Sequence, residues 1–201
     1  ADIEHVRRAI GLVRRIGPYF IFPGVGYGGS CFPKDVRAMI AMQEDAPLLR
    51  AVEQVNESQK RVLTEKVQSH FGRDLSNRTF AVWGLSFKPR TDDMREAPAV
   101  TIIEALLGAG AQVQAFDPKA MGEAEKIFGS RIAYARSNYE AARGADALLI
   151  ITEWNEFRRP NFSRLKDVLK NPVIFDGHNL YDPRELQRLG FIYYAIGRSR
   201  V

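Results

Sequence analysis

Cys31 is the single cysteine of the chain, and its surroundings suit nucleophilic chemistry. Gly28-Gly29-Ser30 precede it, and glycines let a backbone come close to a substrate. Lys34 and Asp35 come after it, within about one turn if a helix begins at Phe32 or Pro33. A helix amino terminus and a nearby lysine both stabilise thiolate over thiol. A lone cysteine without such neighbours is more often a small buried hydrophobe; here the neighbours favour the nucleophile. A second candidate is the run Gly84-Leu85-Ser86-Phe87-Lys88-Pro89-Arg90-Thr91-Asp92-Asp93-Met94-Arg95-Glu96, just ahead of a helix starting near Pro98. Its cations and the helix start favour an anion, with Lys88 and Arg95 suited to phosphate. The same residues also describe a solvated loop whose Asp92, Asp93 and Glu96 neutralise its own arginines. The three histidines and one cysteine include no H-x-x-x-H spacing, so they give no metal-ligand set and no internal disulfide.

The elements that must position these residues can be read from apolar spacing. Ile3, Val6, Ile10 and Val13 predict a helix over 2–15, with barely room for a cap before it, as in a chain cut within its fold. An aromatic, glycine-rich loop runs from Tyr19 to Ser30. After Cys31 a helix continues to about Gln43, with Pro33 in its first turn. Pro47 to Phe71 is an uninterrupted helix pattern closed by Gly72, roughly 37 Å long at the standard rise. That length suits a spacer or a subunit contact, and an ordinary amphipathic helix fits equally well.

From Ser76-Asn77 onward, short apolar runs alternate with helical stretches. The runs begin at Phe80, Gln112, Ile132, Ala147, Val173 and Phe191. The pattern predicts an α/β fold: a Rossmann-like parallel sheet of about five or six strands covered on both faces. The expected division is a helical segment over 1–76 carrying the cysteine loop and a sheet domain over 77–201. Ligands of such sheets bind beyond the carboxyl ends of the strands. Those ends include Asp117-Pro118, Thr152-Glu153-Trp154 and Asp176-Gly177-His178-Asn179, each a pocket wall or simply a turn. His178 alone reads as a turn residue rather than a base, and Trp154 as packing. No G-x-G-x-x-G comes after any strand, so the pyrophosphate of a nicotinamide cofactor is not expected in this sheet.

Composition bounds the rest. With 201 residues, 45% of them apolar, the chain can build a core, which excludes a disordered or fibrous protein. Charged residues, 26% of the total, break every apolar run before the roughly 18 residues of a membrane helix, and no signal-peptide pattern opens the chain. A cytoplasmic protein is expected. The net charge of +5 favours an anionic partner. The basic pairs Arg7-Arg8, Arg14-Arg15 and Arg158-Arg159 do not alternate with aromatics, so nucleic acid is not the expected one.

Gly24-Val25-Gly26-Tyr27-Gly28-Gly29-Ser30-Cys31-Phe32-Pro33-Lys34-Asp35 resembles the active-site signature of UDP-glucose 6-dehydrogenases. Arg15-Ile16-Gly17-Pro18, the run from Gly84 to Glu96 and Thr152-Glu153-Trp154-Asn155-Glu156-Phe157-Arg158 match in the family's order and spacing. The resemblance covers nearly the whole chain. The cysteine run and the Thr-Glu-Trp segment favour UDP-glucose over the substrates of the related GDP-mannose and UDP-N-acetylmannosamine dehydrogenases. It is a resemblance to the second half of such an enzyme, the central helix and the UDP-binding domain. It implies an NAD domain ahead of Ala1 and no turnover by this chain alone.

The resemblance also implies roles. Cys31 would capture the C6 aldehyde of UDP-glucose and carry it through a thiohemiacetal to a thioester. Asp35 would position or activate water, and Lys34 would lie against NAD and the cysteine. The loop from Phe20 through Phe22, Gly24 and Tyr27 to Gly28 would wrap the sugar nucleotide. Phe87 and Lys88 would meet its uridine and phosphate end, and Arg95 would reach toward NAD. Arg15 would cross into a neighbouring subunit's glucose site, with the helix from Pro47 to Phe71 forming a homodimer. Two positions depart from the family: His178 replaces an arginine that contacts substrate, and Leu12-Val13 stand where an acidic residue is common. The competing expectation is a dimerising nucleotide-binding module without chemistry, its cysteine buried.

Overall fold

A computed structural model describes residues 1–43 and 45–201. The helical segment comes first. Helix α1 spans Ile3–Gly11, and Asp2 caps it by accepting the Glu4 N–H at 2.8 Å. It stops short of the expected Arg15. Gly11 packs against Pro18, where a Cβ would lie 3.2 Å from the Pro18 Cα, and the chain turns back through Gly17 at φ +70°. Helix α2 spans Phe32–Ala41, with Cys31 at its N-cap position, Pro33 in its first turn, and Pro33 and Val36 buried. Helix α3 runs over Pro47–Phe71, as its periodicity predicts, and ends at Gly72 with φ +94°. Its two halves differ: Leu63 and Val67 are fully buried, whereas Leu48 and Val55 face solvent.

The remaining chain alternates strand and helix. In order it forms β1 (Thr79–Trp83), α4 (Pro98–Gly108), β2 (Gln112–Phe116), α5 (Met121–Phe128), β3 (Ala133–Tyr134), α6 (Asn138–Ala142) and β4 (Ala147–Ile150). Then come α7 (Phe162–Val168), β5 (Val173–Asp176), α8 (Pro183–Arg188) and β6 (Ile192–Tyr194). The six strands make one parallel sheet in the order β3-β2-β1-β4-β5-β6. Successive side chains of a strand face opposite ways, and both faces here are dry. Phe80 and Val82 join Leu63, Val67, Ile102 and Phe175 on one side. Ala81 and Trp83 join Leu148, Phe157, Leu165 and Tyr193 on the other. Each of the larger aliphatic and phenylalanine side chains contributes about 1.5–3 kcal/mol by leaving water. Strand order reverses between β1 and β4, and the crevice beyond the carboxyl ends at such a point is where open sheets bind ligands. Among the described residues no helix is long and apolar enough to cross a membrane.

Candidate active site

The loop after β1 begins at Gly84, whose φ is +91° and whose missing Cβ would lie 2.5 Å from the Thr152 Cβ. Only glycine lets the chain leave the strand so close to the end of β4. Buried Asp117, just past β2, holds the first residues of this loop. Its Oδ2 accepts the N–H groups of Leu85 and Ser86 at 2.8 and 3.2 Å and the Trp154 indole N–H at 3.0 Å. Its Oδ1 accepts the N–H groups of Lys119 and Ala120, both at 2.8 Å. Asp117 and Trp154 are thus turn and packing residues. The Thr152 hydroxyl donates to the Ser86 carbonyl at 2.6 Å, and the Phe87 N–H donates to the Asp93 carbonyl at 3.0 Å. With its base fixed, the loop presents Phe87 and Lys88, the ammonium 5.0 Å from the ring centroid.

The cysteine loop meets this loop directly. Gly29 donates its N–H to the Arg95 carbonyl at 2.8 Å. A Cβ on Gly28 would fall 2.3 Å from the Glu96 carbonyl oxygen, and one on Gly29 would fall 2.8 Å from the Phe87 ring. The other side of the loop is anchored by α3. Asn56 accepts the Tyr27 N–H at 2.7 Å and donates to the Tyr27 carbonyl, while the Gln59 amide donates to the Gly24 carbonyl at 2.7 Å. The outcome is a cleft of about 440 Å³ lined by Gly28, Cys31, Phe87, Lys88, Thr91 and Asp93, among others. Cys31 is exposed there, with the Ser30 hydroxyl 3.6 Å from its sulfur. A buried structural cysteine is therefore excluded.

The charges around the sulfur are paired. Lys34 Nζ lies 2.9 Å from Asp35 Oδ1, and both side chains are mostly in solvent. Asp35 raises the Lys34 pKa, with a smaller contribution from Cys31. Arg95 is held by Asp93 at 2.8 Å, which raises the guanidinium pKa, again with a smaller contribution from Cys31. The Arg95 guanidinium holds the Asp93 carboxyl below its usual range against the opposing effect of burial. Asp93 thus neutralises an arginine of its own loop. Glu96 does not: its carboxylate takes Arg37 of α2 in a forked pair at 2.9 and 3.1 Å.

The other candidate residues line two further clefts that share Phe22 and His178. One, of about 540 Å³, is apolar and runs along α3 between Gly24, Tyr27 and Val55. The Tyr27 hydroxyl is buried and has no hydrogen-bond partner among the described residues. The second, of about 740 Å³, is lined by Phe20, Phe22, Arg158, His178 and Arg198, among others. Phe20 is fully exposed at φ +63°. His178 packs beneath Gly24, where a Cβ would lie 3.1 Å from the ring. Its Nε2 lies 2.9 Å from the Ile151 carbonyl and its Nδ1 3.4 Å from Glu153. One ring nitrogen is therefore engaged by the main chain while the Glu153 carboxylate lies beside the other, an arrangement that spacing along the chain does not reveal. Arg15 is exposed and lines none of these clefts.

Asn56 and Gln59, outside the candidate residues, position the site, as do Glu96 of the candidate loop and Asp117 at its strand end. Asn56 and Gln59 had a signal, since they stand one helical step apart ahead of buried Leu63. Asp117 had a weaker one, a carboxylate closing a strand end.

A Rossmann-type parallel sheet, with an exposed cysteine at a helix start facing a lysine-bearing crossover loop, places the chain among the α/β proteins that bind ligands at the carboxyl ends of their strands. The sequence places it more narrowly. Residues 81–183 match the model of the UDP-glucose/GDP-mannose dehydrogenase family's UDP-binding domain, and residues 1–58 match that family's central domain. The chain belongs to this family. A UDP-glucose 6-dehydrogenase of Pseudomonas aeruginosa is 48% identical over 99% of the chain and 46% of its own length. One from Rhizobium meliloti is 46% identical over 98% of the chain and 46% of its own length. A solved UDP-glucose dehydrogenase from Pyrobaculum islandicum superposes with a TM-score of 0.85 at 32% identity, over 99% of this chain and 44% of that one. The chain thus spans about half the length of the curated relatives it matches.

Proposed function

We propose that the chain carries the covalent and UDP-binding half of a UDP-glucose 6-dehydrogenase, which oxidises UDP-glucose to UDP-glucuronate with NAD. One observation carries the reading: the glycine loop and the crossover loop meet so that Cys31, Phe87 and Lys88 line one cleft. In this reading Phe87 and Lys88 meet the uridine and phosphate end, and Phe20, Phe22, Gly24, Tyr27 and Gly28 wrap the sugar nucleotide. A first oxidation of the C6 alcohol, losing a hydride from carbon and a proton from oxygen, would give the aldehyde; the Cys31 thiolate would add to it, forming a C–S bond while the oxygen takes up a proton, and loss of a second hydride and of that proton would give a thioester. Water, positioned by Asp35, then attacks the acyl carbon; the C–S bond breaks and the thiolate and carboxylate are released. NAD, when bound, would supply the hydride acceptor for both oxidations.

No G-x-G-x-x-G comes after β1, so we place no cofactor pyrophosphate there. The exposed cations Lys34 and Arg95 beside Cys31 fit a cofactor reaching in from residues outside this chain, where its main binding determinants are proposed to lie. Turnover by these 201 residues alone is not expected. Arg15, exposed and away from the clefts, suits a contact in a neighbouring subunit. The exposed apolar residues Leu48 and Val55 on α3, flanking Ala51 and Val52 in the same groove, support a homodimer through that helix. The proposed location is the cytoplasm, where UDP-sugars and NAD are both present.

Calorimetric titration tests the substrate. UDP-glucose should bind, GDP-mannose should not at equal concentration, and Lys88→Ala should weaken UDP-glucose about tenfold or more through loss of a charge-assisted bond. Equal heats with the two nucleotides, or none with UDP-glucose, would overturn the reading.

A further inference from the structure

We propose that Glu96 is a positioning residue for Cys31, acting through Arg37; this rests on reading Cys31 as the nucleophile. Glu96 sits where three elements of the site meet. Its carboxylate accepts both terminal nitrogens of Arg37, at 2.9 and 3.1 Å, and Arg37 lies on the helix that Cys31 opens. Arg37 Nε also donates to Glu53 of α3 at 3.3 Å. Lys60 of α3, only 3% exposed and 2.7 Å from Glu57, stands 3.8 Å from Glu96. The main chain of Glu96 abuts Gly28, and the preceding carbonyl receives the Gly29 N–H.

Glu96 does this at φ +53°, a left-handed conformation that a side-chain-bearing residue keeps only when its surroundings hold it. The forked Arg37 pair is such a hold. Accordingly Arg37 holds the Glu96 carboxyl below its usual range against burial, and Glu96, then Glu53, raise the Arg37 guanidinium. The pair therefore fixes the start of α2 against the loop that bears Arg95. Release would let Cys31 drift from the loop that bears Lys88 and Arg95 and from the cleft it shares with Lys88, the setting on which its reactivity depends in the proposed reading.

The test measures Cys31 alkylation by iodoacetamide at neutral pH in the 201-residue chain, with the thermal midpoint recorded alongside. The variants are Glu96→Gln, Arg37→Gln and the double substitution. Each single variant should slow alkylation about threefold, and the double should be no slower than either, because the two residues act as one unit. A purely structural role would lower the thermal midpoint and leave the native-state rate alone. A rate unchanged or faster in Glu96→Gln, or single effects that multiply in the double, would overturn the proposal. If Glu96→Gln does not fold, Arg37→Gln decides by the same rate, since Arg37 is about half exposed. The rates are taken without nucleotide, so a failure of UDP-glucose to bind would count against the proposed function alone.

Discussion

The Phe87 ring lies against Gly29 so closely that a Cβ there would sit 2.8 Å from it, and Gly28 is tighter still against the Glu96 carbonyl. Two loops far apart in sequence are thus in backbone contact immediately ahead of Cys31. Gly28→Ala should force them apart. Because the obstacle is a backbone oxygen, the expected cost is about 1–3 kcal/mol, read as a lowered denaturation midpoint. The Lys88-dependent part of UDP-glucose affinity should fall with it.

Asp117 holds the base of the crossover loop. Asp117→Ala strands the buried N–H groups of Leu85 and Ser86 and removes the partner of the Trp154 indole. A loss of about 2–4 kcal/mol is expected. Amide exchange at Leu85 and Ser86 should rise by more than exchange in the centre of β4.

Two contributions to acid sensitivity can be separated by substitution. Burial, then the charges of Arg200 and Arg78, lowers the His70 pKa below 6.5. Below that pH the unfolded chain takes up a proton that folded His70 refuses. The contribution of His70 is therefore complete above about 6.5 and is lost as pH falls toward its lowered value. His70→Phe removes this step at the expense of the 2.8 Å bond to the Tyr194 hydroxyl. Thermal midpoints should fall less between pH 7.5 and 5.5 in the variant than in the parent. At lower pH, Arg7 brings Glu4 to about 2 from 4.5, against burial and with help from Arg8. Its contribution is present above 4.5 and fades as pH drops toward 2, so Glu4→Gln should flatten that limb.

The apolar groove along α3 predicts self-association. Val55→Asp should convert a dimer into a monomer in sedimentation without lowering the cooperativity of unfolding, because Val55 contributes nothing to the sheet core. A monomeric parent chain would rule out the dimer through α3.

Much of this architecture was written in local pattern. Helix α3 falls, and strand β2 begins, where apolar spacing puts them, because Gly and Pro punctuate their ends. Helix α1 did not: Val13 continues the helical spacing, yet it is half exposed and the chain has already turned on Gly11 and Pro18. The meeting of Gly28 with Glu96 and the capture of His178 by Ile151 and Glu153 depend on long-range packing. Spacing along the chain carries no record of them. Glu96 shows the limit most plainly. Its own loop supplies arginines, but its partner is Arg37, on another element.

The proposed chemistry requires an accessible sulfur standing in the nucleotide's path. Mass-spectrometric timing of iodoacetamide addition at Cys31 in the native chain, with and without saturating UDP-glucose, tests this most directly. Rapid addition that the nucleotide slows about tenfold or more is expected. Addition at one and the same rate in both conditions, or only after unfolding, would contradict it.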